Sequence, residues 1–175
     1  EMCIRDRVWI METKKIIKHA LKDYQNITGL RSYVVYDNTV IQSASEKNYF
    51  CKCLKSSSKA LKKCEECTEE TYENARKIDH ECVYSCHAGL IKWAVPVQRG
   101  DFHCVIVSEG VLAMKQMEDA DKWAKYLSRE YQLDESMLLK NFKVIQTMDE
   151  DQMNASIELL KDLLSYHFAM AEKQV

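Results

Sequence analysis

Between residues 81 and 112 three apolar, β-branched runs follow one another: "ECVYSC", "GLIKWAVPVQ" and "FHCVIVSEGVL". Each reads as a strand, and "RGD" reads as the tight turn between the last two. This block constrains the fold more than any other, because strands joined so closely pair as an antiparallel sheet. The single proline, Pro96, lies inside the second run and predicts an edge position or an interrupted ladder there. Upstream, "SYVVYD" reads as a strand, "DNT" as a turn and "VIQSA" as a further strand.

Helical periodicity occupies most of the remainder. From Trp9 to Ile27, Ile16, Ile17, Ala20, Leu21, Tyr24 and Ile27 share a face, and Gly29 suits the helix end. Ser56 to Ile78 reads as a long amphipathic helix with Leu61, Cys64, Thr68, Tyr72 and Ala75 on one side. "NYFCKCL" before it is too short and mixed to assign. Glu118 to Tyr131 is a third helix, "DESMLLKNF" opens on an N-cap at Asp134, and a last helix runs from about 149 to 172. The order is helix, two strands, helix, three strands, then helices. That order predicts an α+β fold, a PAS-like antiparallel sheet with flanking helices and a C-terminal helical segment. Residues 1–7, "EMCIRDR", match the translated end of a sequencing-library transposon and read as an adaptor-derived scar, leaving 8–175 as one domain.

A formal net charge of −2 with no basic stripe argues against a nucleic-acid contact by this segment. No apolar run approaches a membrane span and no signal peptide is visible, so the expected location is the cytoplasm. In that compartment paired cysteines favour metal or thiol chemistry over structural disulfides. No serine–histidine–aspartate set, zinc-protease motif, P-loop or dinucleotide fingerprint is present, so no enzyme is expected.

The cysteines are the chemistry-bearing feature. Cys64 and Cys67 form a C-x2-C pair that shares a helix face, and Cys82 and Cys86 flank a strand. An extended strand would hold the latter two about 13 Å apart, too far for one ion. Cys51, Cys64, Cys67 and Cys86 are the candidate ligands for zinc or an iron–sulfur cluster. Redox sensing and plain packing of small apolar thiols are the alternatives. His87, next to Cys86, joins the candidates more readily than His103. Tyr33, Tyr84 and Trp93 on the sheet, with Phe50 before the long helix, are candidate walls of a ligand pocket, or ordinary core aromatics. Gly89 would permit close approach of a ligand or simply bend the chain.

"CHAGLIKWAVPV" resembles the PocR sensory domain, a PAS-related module of bacterial and archaeal regulators. "ITGLRSYVVYDN", "NYFCKCLKSSSKALKKCEECTEETYENARK", "VIVSEGVL" and the C-terminal "LSREYQLDESMLLKNFKVIQTMDEDQMNASIELLKDLL" extend the likeness over residues 12 to 172. Family positions carried over are Cys51, Cys64, Cys86, His87, Ala88, Gly89, Leu90 and Pro96; Cys67 matches a subset. Relatives have a Gly-rich strand where this chain has "FHCVIVSEGVL", which keeps only Gly110. The resemblance implies binding of a small hydrocarbon-derived ligand in a PAS-like pocket, as the signal-input part of a transcriptional regulator or histidine kinase. The chain contains neither output, and reads as a fragment or a stand-alone sensor.

The final helix carries Met153, Ile157, Leu160, Leu164, His167 and Ala171 at heptad a/d spacing. This predicts either a homodimer seam or a face buried against the chain's own domain.

Overall fold

The structure is a computed structural model that describes residues 3–36 and 48–173. The "DNT" turn and the "VIQSA" strand lie outside the described residues.

Four strands, β1 (Ser32–Val35), β2 (Cys82–Ser85), β3 (Ile91–Arg99) and β4 (Phe102–Ser108), form one antiparallel sheet in the order β1-β4-β3-β2. The expected α+β fold, an antiparallel sheet with flanking helices and a C-terminal helix, is the observed one. Gly100 and Asp101 form the hairpin loop between β3 and β4, with Gly100 left-handed at φ +57°. The sheet reconciles Pro96 with an inner strand. β2 pairs with β3 only as far as Ala94, so beyond that point one side of β3 is an edge among the described residues. Pro96 sits there, opposite Val105 of β4.

The period-2 alternation of the strands sends side chains to two different environments. Trp93, Val95, Val97, Cys104 and Ile106 face α1 (Ile4–Thr28) and α7 (Glu150–Lys173) in the larger core. Ala94, Val105 and Val107 face α3 (Ser58–Ile78), where Tyr72 and Ala75 cover them. A third core joins α2 (Tyr49–Leu54), α5 (Ala120–Tyr131) and α6 (Glu135–Phe142) beyond the β2–β3 turn. Phe50 meets Phe142 edge-to-face there, with ring centroids 5.3 Å apart.

Caps set the helix limits. Gly29 at φ +76° closes α1, and its N–H donates to Gln25 O. The ambiguous "NYFCKCL" is helical because the Asn48 side chain accepts from the N–H groups of Phe50 and Cys51. Ser57 caps α3 and Asp134 caps α6 through the Met137 N–H. Asp149 and Gln152 form a reciprocal box at the start of α7, each side chain accepting from the other's backbone N–H. The helix expected from Glu118 is preceded by α4 (Met114–Glu118) and begins after Asp119.

The heptad seam of α7 is taken up by the chain's own domain. Met153, Ile157, Leu160 and Leu164 are buried in the α1/α7 core, and His167 Nε2 lies 2.7 Å from Asp23 Oδ2 of α1.

Candidate functional site

Where α2 and α3 cross one end of the sheet they leave a cavity of about 40 Å³. α2 contributes Cys51, Leu54 and Lys55, and α3 contributes Leu61, Cys64, Glu65, Cys67 and Thr68. The floor is Tyr33 of β1, Tyr84 of β2 and Lys92 of β3, with Cys86, His87, Ala88 and Leu90 of the intervening turn closing one side. Tyr84 and Lys92 are direct cross-strand partners, which puts both side chains on the α3 face.

The turn is built around Gly89. Cys86 N–H donates to Leu90 O and Gly89 N–H to Cys86 O, each at 2.9 Å. Gly89 has φ +88°, and a Cβ there would lie 2.8 Å from the Trp123 ring. The glycine thus serves a left-handed turn packed against an indole of α5, outside the cavity. The turn in consequence aims Cys86 and His87 at α3.

A polar relay crosses the site. Cys64 Sγ is 3.0 Å from His87 Nε2, and His87 Nδ1 is 2.8 Å from Tyr131 Oη at the end of α5. Burial pushes the Cys64 thiol up to about 11, so it keeps its proton at neutral pH. Burial, with Lys63 and Lys92 nearby, lowers the His87 pKa and keeps the imidazole neutral. A neutral ring accepts at one nitrogen and donates at the other, which suits one thiol and one phenol.

Lys92 is the single cation in the floor. Its ammonium donates to Tyr33 Oη. Burial acts against its charge, but Tyr33, Tyr84, Cys86 and Cys51 around it outweigh burial and hold its pKa well above the ordinary lysine value. Burial also raises the Tyr84 phenol and the Cys67 thiol.

Of the candidate residues, Cys51, Cys64, Cys67, Cys86, His87, Tyr33 and Tyr84 all line this one cavity. Phe50 and Trp93 do not. Phe50 is fully buried in the α2/α5/α6 core, and Trp93 is fully buried on the opposite face of the sheet. Trp93 follows Lys92 directly, so the pleat turns it toward α1 and α7. Cys82 is at the far end of β2, beside His80 O, and takes no part.

The donor types suit zinc or an iron–sulfur cluster, but their arrangement does not. Among the described residues no group of three or more histidine, cysteine, aspartate or glutamate side chains is gathered to hold an ion. The Lys92 ammonium in the same space also works against binding of a cation.

Reasoning from the sequence passed over Lys92. The available signal was a lysine at the second position of an apolar strand, with Tyr84 and Ala94 as its same-face neighbours.

A four-stranded antiparallel sheet with helices on both faces carries a small, partly open cavity under one of them. The sensory domain found in PocR matches residues 12–172, and the chain belongs to that family. No curated protein and no solved structure matches it. Among the described residues no helix is long and apolar enough to cross a membrane.

Proposed function

We propose that this domain senses a small molecule in the cavity between the sheet and α2/α3, and that binding without turnover is its activity. Its family supports a ligand-sensing, signal-input role. The observation that carries the assignment to this cavity is that Cys51, Cys64, Cys86 and His87, brought from three separate segments of chain, all converge on it. The family resemblance points to the same four positions. The regulator served would be a cytoplasmic transcriptional regulator or histidine kinase whose output lies outside this segment. Pairing of two copies through α7 would have to use the outward face that carries Tyr166 and Met170, since the heptad seam is covered.

A thermal-shift screen of short diols, alcohols, aldehydes and acids tests the reading. A ligand at a hundredfold excess over its dissociation constant adds about 2.7 kcal/mol, which for a domain of this size raises Tm by about 5–10 °C. Cys67→Leu, which fills the cavity, should abolish the shift. A shift unchanged in that variant places the ligand elsewhere, and the absence of any shift across the screen overturns the proposal.

A further inference from the structure

We propose that the occupant of the cavity is a small carboxylate of one to three carbons, with its head group on the Lys92 ammonium. This rests on the sensing reading above and names the ligand class for the same site.

Charge comes first. Among the described residues Lys92 forms no ion pair with a carboxylate; its polar contact is the Tyr33 hydroxyl. A carboxylate on that ammonium would form a charge-assisted hydrogen bond, stronger than one from a neutral partner. Phenols and thiols supply dipoles at neutral pH, not a compensating charge. Among the described lining residues the other charged groups are Lys55 and Glu65, opposite in sign. A monoanion offers Lys92 a full opposite charge as well as an acceptor, whereas a neutral diol offers only the acceptor.

Size narrows the class. A cavity of about 40 Å³ accepts roughly three water-sized groups. That suits formate, acetate or propionate and is too small for an aromatic acid or a phosphate ester. The walls agree, because Leu54, Leu61, Ala88 and Leu90 offer an apolar side for a short alkyl tail. Two other ligand chemistries fit less well. A carbonyl compound would need Lys92 as a free amine to form an imine, and its neighbours hold it as an ammonium. A metal cation would share the cavity with that ammonium.

The test compares propionate, propionamide and 1-propanol on the full chain at pH 7 and matched ionic strength, by titration calorimetry and thermal shift, with sodium sulfate as a control for non-specific anion effects. Propionate should bind saturably and at least tenfold more tightly than the amide or the alcohol. Lys92→Met should remove that preference. Should Lys92→Met fail to fold, the acid–amide comparison decides the matter alone, because it needs no variant. Equal or tighter binding of the amide or the alcohol overturns the carboxylate assignment and leaves the sensing reading standing. Retention of the preference in folded Lys92→Met also overturns it. If none of the three binds, the carboxylate falls, and the wider screen above decides separately whether the sensing reading falls with it.

Discussion

Gly110→Ala should destabilise the domain and deform the cavity in one step. Gly110 follows β4, and its φ is not left-handed, so the added methyl brings no backbone strain of that kind. Its cost is steric. A Cβ at 110 would lie 2.6 Å from both Cβ and Cδ1 of Leu90. The Cβ contact matters most, because no rotamer change moves a Cβ. Relief to an ordinary carbon–carbon separation needs about 1 Å of displacement, and the chain carrying Leu90 must supply it. Leu90 is buried and hydrogen-bonded through its carbonyl to Cys86 N–H, so the whole 86–90 turn moves with it. Overpacking of this kind costs about 1–3 kcal/mol, offset by about 0.4–1 kcal/mol from the stiffer unfolded chain. A net loss of about 1–2 kcal/mol lowers Tm by about 2–8 °C in a domain of this size. Urea and thermal unfolding measure the loss, and ligand titration reads the cavity. Gly100→Ala is the matched control. It strains a left-handed hairpin position far from the cavity, so it should lose stability and keep ligand affinity. A Gly110→Ala protein with unchanged or raised Tm and unaltered binding would refute the tight Leu90 contact and the coupling of the turn to the site.

Two further outcomes are expected. The His87 pKa is lowered in the folded protein, so the neutral ring contributes stability that is fully present above its ordinary value of about 6.5 and is lost as pH falls through the folded value; urea unfolding from pH 7.5 to 5 should show a decline that His87→Gln reduces, and stability that rises toward acid in that window would contradict the assignment. Leu160→Lys/Leu164→Lys should unfold the chain, because both leucines are buried in the α1/α7 core; a double variant with native circular dichroism and a cooperative melt would show that the seam is dispensable to the domain.

What could be read from the sequence was decided locally. Gly29, Asp134 and the "RGD" hairpin are governed by backbone preferences that act within four residues, and each does what its residue type predicts. The convergence of Cys51, Cys64, Cys86 and His87 came through the family pattern, since nothing local brings α2, α3 and the turn together. The division between Trp93 and Lys92 was not legible. A strand buried on both faces lacks the apolar–polar alternation that would label its sides, so nothing in the sequence separates Trp93 from the pocket or marks Lys92 as part of it. Pro96 shows the same limit. Its edge character depends on where β2 stops, which is a property of another strand.

Because neighbouring residues of β3 serve opposite faces, the strand is divided by parity. Trp93, Val95 and Val97 anchor the two long helices, while Lys92 faces the cavity and Ala94 lies under α3. Substitutions at Lys92 and at its cross-strand partner Tyr84 can therefore reshape the cavity while the packing beneath α1 and α7 is left intact. A lineage could change what it detects by altering even-numbered positions in this strand and preserve its fold through the odd ones. The two kinds of selection would then leave alternating records along a single stretch of nine residues.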